Sequence, residues 1–186
     1  RSYFSNEGFD PSKYKTQFPY EAFRSVTRAD GFWAAKIMMS FSDADIRALV
    51  KAGRYSDPKD AETLAQTLIE RRDIIARHWF SKCAPLDQFT FSNGRLAFKD
   101  LAVEAGFKKG EEVLYHVTIL TAEGKPRKLT DLESREPSFL IPPALWDENS
   151  DLKVVIRAVS DPSKKTEPSV TVILNAAGIQ GIQHEE

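Results

Sequence analysis

The side chains with the widest chemical range in this chain are three histidines and a single cysteine: His78, His116, His184 and Cys83. Their separations match no metal-ligand spacing, and one cysteine cannot form an intrachain disulfide or a structural zinc site. His116 alternates with apolar neighbours in a strand-like segment, which predicts a ring that faces solvent. We therefore expect no metal site and no bound cofactor, and we assign no catalytic residue.

One pairing keeps an enzymatic alternative open, a small acid–base hydrolase that uses His78 with Glu70 or Asp73. All three lie in one helical pattern, where residues three or four apart are neighbours. Residues 70 and 73 meet this condition, but His78 lies five residues beyond 73, which is an awkward spacing for a concerted site. The segment RRDIIARH contains part of a kinase catalytic-loop motif, but that chemistry requires a loop rather than an amphipathic helix. The leading expectation is that this chain is not an enzyme.

The three tryptophans raise a second alternative, a carbohydrate-binding module. Trp33 and Trp79 lie on apolar faces of helical patterns, and we expect both of them in the core. Trp146 follows a double proline and begins an acidic loop, so it is the tryptophan best placed to form an exposed platform. A contact site, for a sugar in this alternative or otherwise for another protein, is therefore predicted at Trp146.

Composition limits the classes of function. The chain has 186 residues, of which 41% are hydrophobic and 28% are charged, and its net charge is −1. These values are typical of a folded globular protein and exclude disorder along the whole length. A charge near zero gives no general attraction to nucleic acid or anionic lipid, and no apolar run approaches the ~18 residues that span a bilayer. We predict no nucleic-acid partner and no membrane span.

The elements that would position any site begin with helices. Thr27 and Asp30 have capping-box spacing, as do Ser42 and Asp45, and Pro58 is suited to a first helical position. Helices are predicted at 28–40, 43–52 and 58–81. In the longest of them, apolar residues recur at steps of three and four. We expect its large apolar side chains to be buried: Leu64, Leu68, Ile75 and Trp79.

Residues 1–26 contain seven Phe or Tyr residues before residue 24, together with Pro11 and Pro19, which interrupt any helix. Such a segment is expected to lie as a strap across the helices. Three short helices cannot cover all of these rings, and a stable monomer rarely leaves a large apolar patch in water. We predict that the first rings form an interface with another chain or domain: Tyr3, Phe4 and Phe9.

The second half changes to a period of two. Asn93–Gly94 is a strong hairpin signal between two alternating segments, and six or seven short strands follow one another up to residue 175. This number of strands predicts an antiparallel β-sandwich and therefore an α+β fold. The predicted parts are an aromatic strap at 1–26, a helical domain at 27–85, a sandwich at 86–176 and a flexible tail at 177–186.

The strand pattern over residues 86–175 resembles a fibronectin type III or related immunoglobulin-like module. The segments that carry the resemblance are Tyr115-x-Val117, Phe139-Leu140-Ile141-Pro142, Leu152-x-Val154-x-Ile156 and Ser169-x-Thr171-x-Ile173. Leu152 stands where the family usually has the tyrosine of its corner. The resemblance implies a sandwich of immunoglobulin or fibronectin III type, a module that binds partners or separates domains, and here it would follow the predicted three-helix segment.

Residues 9–85 resemble a different group of proteins. The segments FDPSKYKTQFPYEAF and PLDQF, and the helical stretch between them, are similar to the C-terminal part of large, exported bacterial proteins with a kinase-like part upstream. Every kinase-like position would precede this chain. The resemblance implies a non-catalytic interaction or structural region, located in the periplasm or outside the cell. Its partner would be a protein, either the upstream fragment of the same precursor or a like subunit.

Overall fold

The chain folds into two compact units, Arg1–Lys82 and Cys83–Glu186. The structure is a computed structural model that describes residues 5–15, 17–18, 20–122, 127–145, 151–161, 163 and 167–185. Helices form the first unit and two antiparallel sheets dominate the second, so the fold is α+β. Within those described ranges, no helix is both long enough and apolar enough to cross a membrane.

The helices begin at the positions where the sequence provides caps. Both capping boxes form, with Thr27 and Ser42 each accepting a hydrogen bond from the amide of the aspartate three residues later. Asp57 caps the longest helix, and Pro58 is its first residue. A one-turn helix precedes these elements and was not predicted. The helices are α1 (Glu21–Arg24), α2 (Arg28–Met39), α3 (Asp43–Ala52) and α4 (Pro58–Phe80).

Helix α4 is the centre of the first unit, because α2 and α3 both pack against it. Its most buried apolar side chains are Ala65, Ile69, Ala76 and Phe80. The prediction that Leu64, Leu68, Ile75 and Trp79 would be buried is wrong, since all four are half-buried. Two helices cover α4, so the contact stripe is centred one residue later, and its alanines let the helix backbones approach closely.

The first described residues lie along α4. The Asn6 side-chain amide donates to the Thr67 carbonyl oxygen at 3.0 Å and to Glu70 at 3.1 Å. The Arg71 guanidinium donates to the Asn6 side-chain oxygen at 3.2 Å and lies 4.4 Å from the centroid of the Phe9 ring. Phe9, one of the predicted interface residues, is therefore half-buried in contact with its own chain.

The second unit contains eight strands among its described residues, in two sheets. One sheet has the order β1-β2-β5 and the other has the order β4-β3-β6-β7-β8, and all pairings are antiparallel. A one-turn helix, α5 (Leu101–Glu104), follows β2. The strands are β1 (Leu86–Ser92), β2 (Arg95–Asp100), β3 (Leu114–Thr121), β4 (Lys128–Ser134), β5 (Ser138–Leu140), β6 (Leu152–Val159), β7 (Ser169–Asn175) and β8 (Gly178–His184).

The two sheets share one apolar core, which is consistent with a β-sandwich. Side chains from both sheets enter it, for example Leu96 of β2, Val117 of β3 and Ile156 of β6. The predicted hairpin at Asn93–Gly94 is confirmed: both residues have positive φ, of 50° and 73°, and they join β1 to β2. These left-handed conformations match the twist of a two-residue hairpin and are accessible to Asn and Gly.

The prediction of a flexible tail at 177–186 is wrong, because Gly178–His184 forms β8 and pairs with β7. Ile179 and Ile182 are three residues apart, which does not fit the period of two of a strand. The sequence pattern therefore did not predict β8. The register between β7 and β8 shifts after Ile173, so both isoleucines pair with core residues of β7. This register shift, typical of a β-bulge, aligns the two isoleucines with the core side of β7, where Ile179 is partly buried and Ile182 is 41% exposed.

Candidate functional site: an aromatic groove on the helical unit

Four aromatic rings between residues 14 and 23 are more than half exposed. The exposed fractions are 68% for Tyr14, 74% for Phe18, 62% for Tyr20 and 57% for Phe23. With ~200 Å² for each whole ring, these four residues leave on the order of 500 Å² of aromatic side chain in water. Three of the four, Tyr14, Tyr20 and Phe23, line one groove, and Phe18 does not belong to its lining.

The local backbone places two of these rings together. Tyr20 precedes α1, and its carbonyl oxygen accepts a hydrogen bond from the Phe23 amide at 3.0 Å. Residues three apart on a helical turn lie on the same side. The Tyr20 and Phe23 ring centroids are accordingly 5.8 Å apart, with a tilt of 59° between the planes. The pair forms one wall of a groove.

The opposite wall comes from the end of α4, where the His78 and Trp79 rings meet edge to face with centroids 5.1 Å apart. The groove between the walls has a volume of about 600 Å³, which is within the usual range for ligand sites. We call it the aromatic groove. Its apolar and aromatic lining residues are Pro11, Tyr14, Tyr20, Phe23, Val26, His78 and Trp79.

Trp79 is held in place by a close approach of α2. Gly31 is buried, and a Cβ atom built on it would lie 2.2–2.4 Å from three carbon atoms of the Trp79 ring. Only glycine leaves room for the ring at this position. The prediction that Trp33 is buried is wrong: this side chain is 62% exposed. Gly31, Phe32 and Ala35 form the buried side of α2, and Trp33 lies outside it.

The structure does not bring His78 together with either carboxylate of the hydrolase alternative. Glu70 accepts hydrogen bonds from Asn6 and Gln66, and Asp73 accepts from Arg72. On a helix with a rise of ~1.5 Å per residue, positions 70 and 78 are about 12 Å apart along the axis. Burial, with a smaller contribution from the charge of Lys82 and against an opposing one from Asp10, holds the pKa of His78 below its usual value.

The charged groups among the described residues that line the aromatic groove are cationic. Lys15 and Arg24 lie in its lining, together with the polar side chains of Ser12 and Gln17, and no aspartate or glutamate belongs to that set. Arg24 is 3.6 Å from Glu21, but both side chains are mostly exposed, so this ion pair leaves the guanidinium accessible. The groove therefore combines flat aromatic walls with a positive rim.

The other residues that the sequence analysis considered as candidates do not line this groove. Cys83 is buried, and His116 lies on β3, where its Nδ1 atom is 3.2 Å from a carboxylate oxygen of Glu133. Among the residues the structure describes, no group of three metal-ligating side chains occurs. Tyr3, Phe4 and Trp146, the other predicted interface residues, lie outside the described residues.

A buried polar pair in the second unit has a structural explanation. Asp100 caps α5, accepting hydrogen bonds from the amides of Ala102 and Val103, and the Tyr115 hydroxyl donates to its second oxygen at 3.3 Å. Burial raises the pKa of Asp100, and burial together with this carboxylate raises the pKa of Tyr115. The pair joins α5 to β3 through satisfied hydrogen bonds.

Comparison with known proteins gives no match: no family model, no curated protein and no solved structure matches this chain. The class that the molecule defines is an α+β protein with a helical unit that carries an aromatic groove and a second unit of two antiparallel sheets on one core.

Proposed function

We propose that this chain is a non-catalytic interaction and structural region that binds a protein partner through its aromatic groove. The observation that carries the proposal is the group of four exposed rings between residues 14 and 23. About 500 Å² of aromatic side chain is a large part of the ~800 Å² that each partner contributes to a standard interface. Tyrosine and tryptophan are also the residues that most often dominate binding energy.

The groove has binding chemistry rather than reaction chemistry. His78 is its one imidazole, and the carboxylates proposed to assist it hydrogen-bond elsewhere on α4 and its neighbours. General acid–base catalysis needs a partner within hydrogen-bond reach. The interface predicted at Tyr3, Phe4 and Phe9 is therefore extended here to the rings that follow them in the chain, and Trp146 stays a predicted contact of the second unit.

For the second unit we propose an immunoglobulin or fibronectin III type of sandwich. Immunoglobulin domains have strands A, B and E in one sheet and strands C, F and G in the other, with an optional strand beside C. The sheet orders support this assignment, with β1-β2-β5 as A-B-E and β4-β3-β6-β7 as the second sheet. The motif residues Tyr115, Val117 and Leu152 are buried in the shared core, as such modules require. Strand β8 would be an addition.

The proposed setting is a larger bacterial protein, exported to the periplasm or outside the cell. The resemblance of residues 9–85 to the C-terminal part of such proteins supports it. The partner of the groove would then be the upstream fragment of the same precursor or a like subunit. In either case the sandwich would act as a spacer or a second contact surface.

Two binding measurements on the whole chain test this function. Multi-angle light scattering over a wide concentration range detects a like subunit, and calorimetric titration with the upstream fragment detects the other partner. We expect one of them to show association that the double variant Tyr20→Ser with Phe23→Ser, which removes two rings of the groove lining, abolishes. Tyr55→Ser is the matched control, because Tyr55 is 49% exposed and does not line the groove. A null result in both measurements would contradict the proposal.

A further inference from the structure

We infer that the segment recognised by the aromatic groove is an extended, proline-containing peptide with acidic residues next to its prolines. This inference rests on the proposed function and specifies the chemistry of the partner. Three features of the described residues support it: the aromatic side chains, the polar groups that share the lining with them, and two cationic side chains in a lining that includes no carboxylate. Each feature restricts the occupant in a different way.

The aromatic lining favours proline. The Tyr20 and Phe23 rings are mutually tilted with centroids 5.8 Å apart, and Trp79, packed over Gly31, belongs to the same lining. Grooves lined by aromatic rings are the established receptors of polyproline II segments, whose ring-bearing residues pack on flat side chains. Such a segment is already extended before it binds, so little conformational entropy is lost on docking.

The polar groups disfavour an amphipathic helix. Such a helix buries a continuous apolar face in a groove. Here Ser12, Lys15, Gln17 and Arg24 interrupt the apolar lining. A polyproline II backbone has no internal hydrogen bonds and presents its carbonyl oxygens outward. The side-chain amide of Gln17 and the hydroxyl of Ser12 are donors suited to such carbonyl groups.

The charges select the flanking residues. Lys15 and Arg24 supply two positive charges in the lining, and the exposed Glu21, 3.6 Å from Arg24, offsets the second only in part. Acidic residues beside the prolines would complement this rim and accelerate association. Two cations are few for single-stranded nucleic acid, which needs a groove that tracks many phosphates. The net charge of −1 for the chain also disfavours that ligand.

The test is a fluorescence and calorimetric titration of the whole chain with three synthetic probes. The first is a short run of prolines followed by glutamates, the second has glycine in place of each proline, and the third has lysine in place of each glutamate. We expect saturable binding of the first probe, with a change in tryptophan emission. The glycine and lysine probes should each bind at least ~10-fold more weakly, because they lose pre-organisation or charge complementarity.

Variants locate the binding. Tyr20→Ala removes a ring that is 62% exposed and contributes little to folding. This variant should lower the affinity for the first probe by ~10-fold or more. Tyr55→Ala, in the same unit but outside the groove, should leave the affinity for the first probe unchanged. Four results would overturn the inference: no saturation, equal binding of the glycine probe, equal binding of the lysine probe, or equal losses in the two variants. If the peptide probe does not bind while the Tyr20 and Phe23 double variant still abolishes association, the proposed function stands and only the peptide chemistry is wrong.

Discussion

Replacing Gly31 with alanine tests whether the packing of α2 on α4 fixes Trp79 in the lining of the aromatic groove. The added Cβ atom would lie 2.2, 2.3 and 2.4 Å from three carbons of the Trp79 ring. Carbon atoms pack at about 3.5–4.0 Å. The ring, or the helix that carries it, must therefore withdraw by more than ~1 Å. A rigid indole offers no flexible end that could turn aside.

Two opposing effects decide the change in stability. Overpacking of this kind costs ~1–3 kcal/mol, while alanine is favoured over glycine in a helix by at most ~1 kcal/mol. Gly31 lies in the first turn of α2, where the benefit is smaller. We expect Gly31→Ala to lower the free energy of unfolding of the helical unit by about 1–2 kcal/mol, as the difference between these effects.

Urea unfolding followed by helical circular dichroism measures this change, and tryptophan emission reports the displacement of Trp79. A double-mutant cycle with Trp79→Leu supplies the control. With the smaller side chain, Gly31→Ala should become neutral or stabilising, because only the helix propensity is left. Displacement of Trp79 should also weaken binding in the groove. If Gly31→Ala were more stable than the wild type, or equally costly in both backgrounds, the packing argument would be refuted.

Three further predictions concern charge and capping. Burial raises the pKa of Asp100 above 3.8, so its contribution to stability is lost as the pH rises through the folded pKa. Asp100→Asn should therefore gain stability relative to the wild type between pH 3.8 and neutrality in urea titrations, and an unchanged difference would contradict this. The lowered pKa of His78 means that stability falls as the pH drops below 6.5, and His78→Gln should flatten that slope rather than keep it. Ser42→Ala removes the cap of α3 and should cost ~1 kcal/mol in thermal unfolding, whereas no loss would show that the capping box with Asp45 is not stabilising.

The sequence was sufficient to predict those structural features that neighbouring residues determine. The caps at Thr27 and Ser42 mark where α2 and α3 begin, because each involves residues only three apart. Asn93–Gly94 marks the first hairpin in the same way. Such features depend on backbone hydrogen bonds within one turn, which a linear sequence displays directly.

Features that depend on residues far apart in the chain could not be predicted from the sequence. The burial of α4 depends on two partner helices, and their combined position moved the core from Leu64 and Leu68 to Ala65 and Ile69. Strand β8 depends on a bulge opposite Ile173, which breaks the expected period. The aromatic groove joins residues near 20 with residue 79, so the sequence showed its rings but not their common position.

Site-specific photo-crosslinking tests the central claim, that the aromatic groove is a protein-binding surface. In one variant benzoylphenylalanine would replace Phe23, whose ring lines the groove. In a second variant, the control, it would replace the exposed Tyr55. Both would be expressed in cells that make the complete precursor. The account predicts a crosslink from position 23, mapped by mass spectrometry to a second copy of the chain or to the upstream fragment, and none above background from position 55. Equal crosslinking at the two positions, or none at position 23, would contradict it.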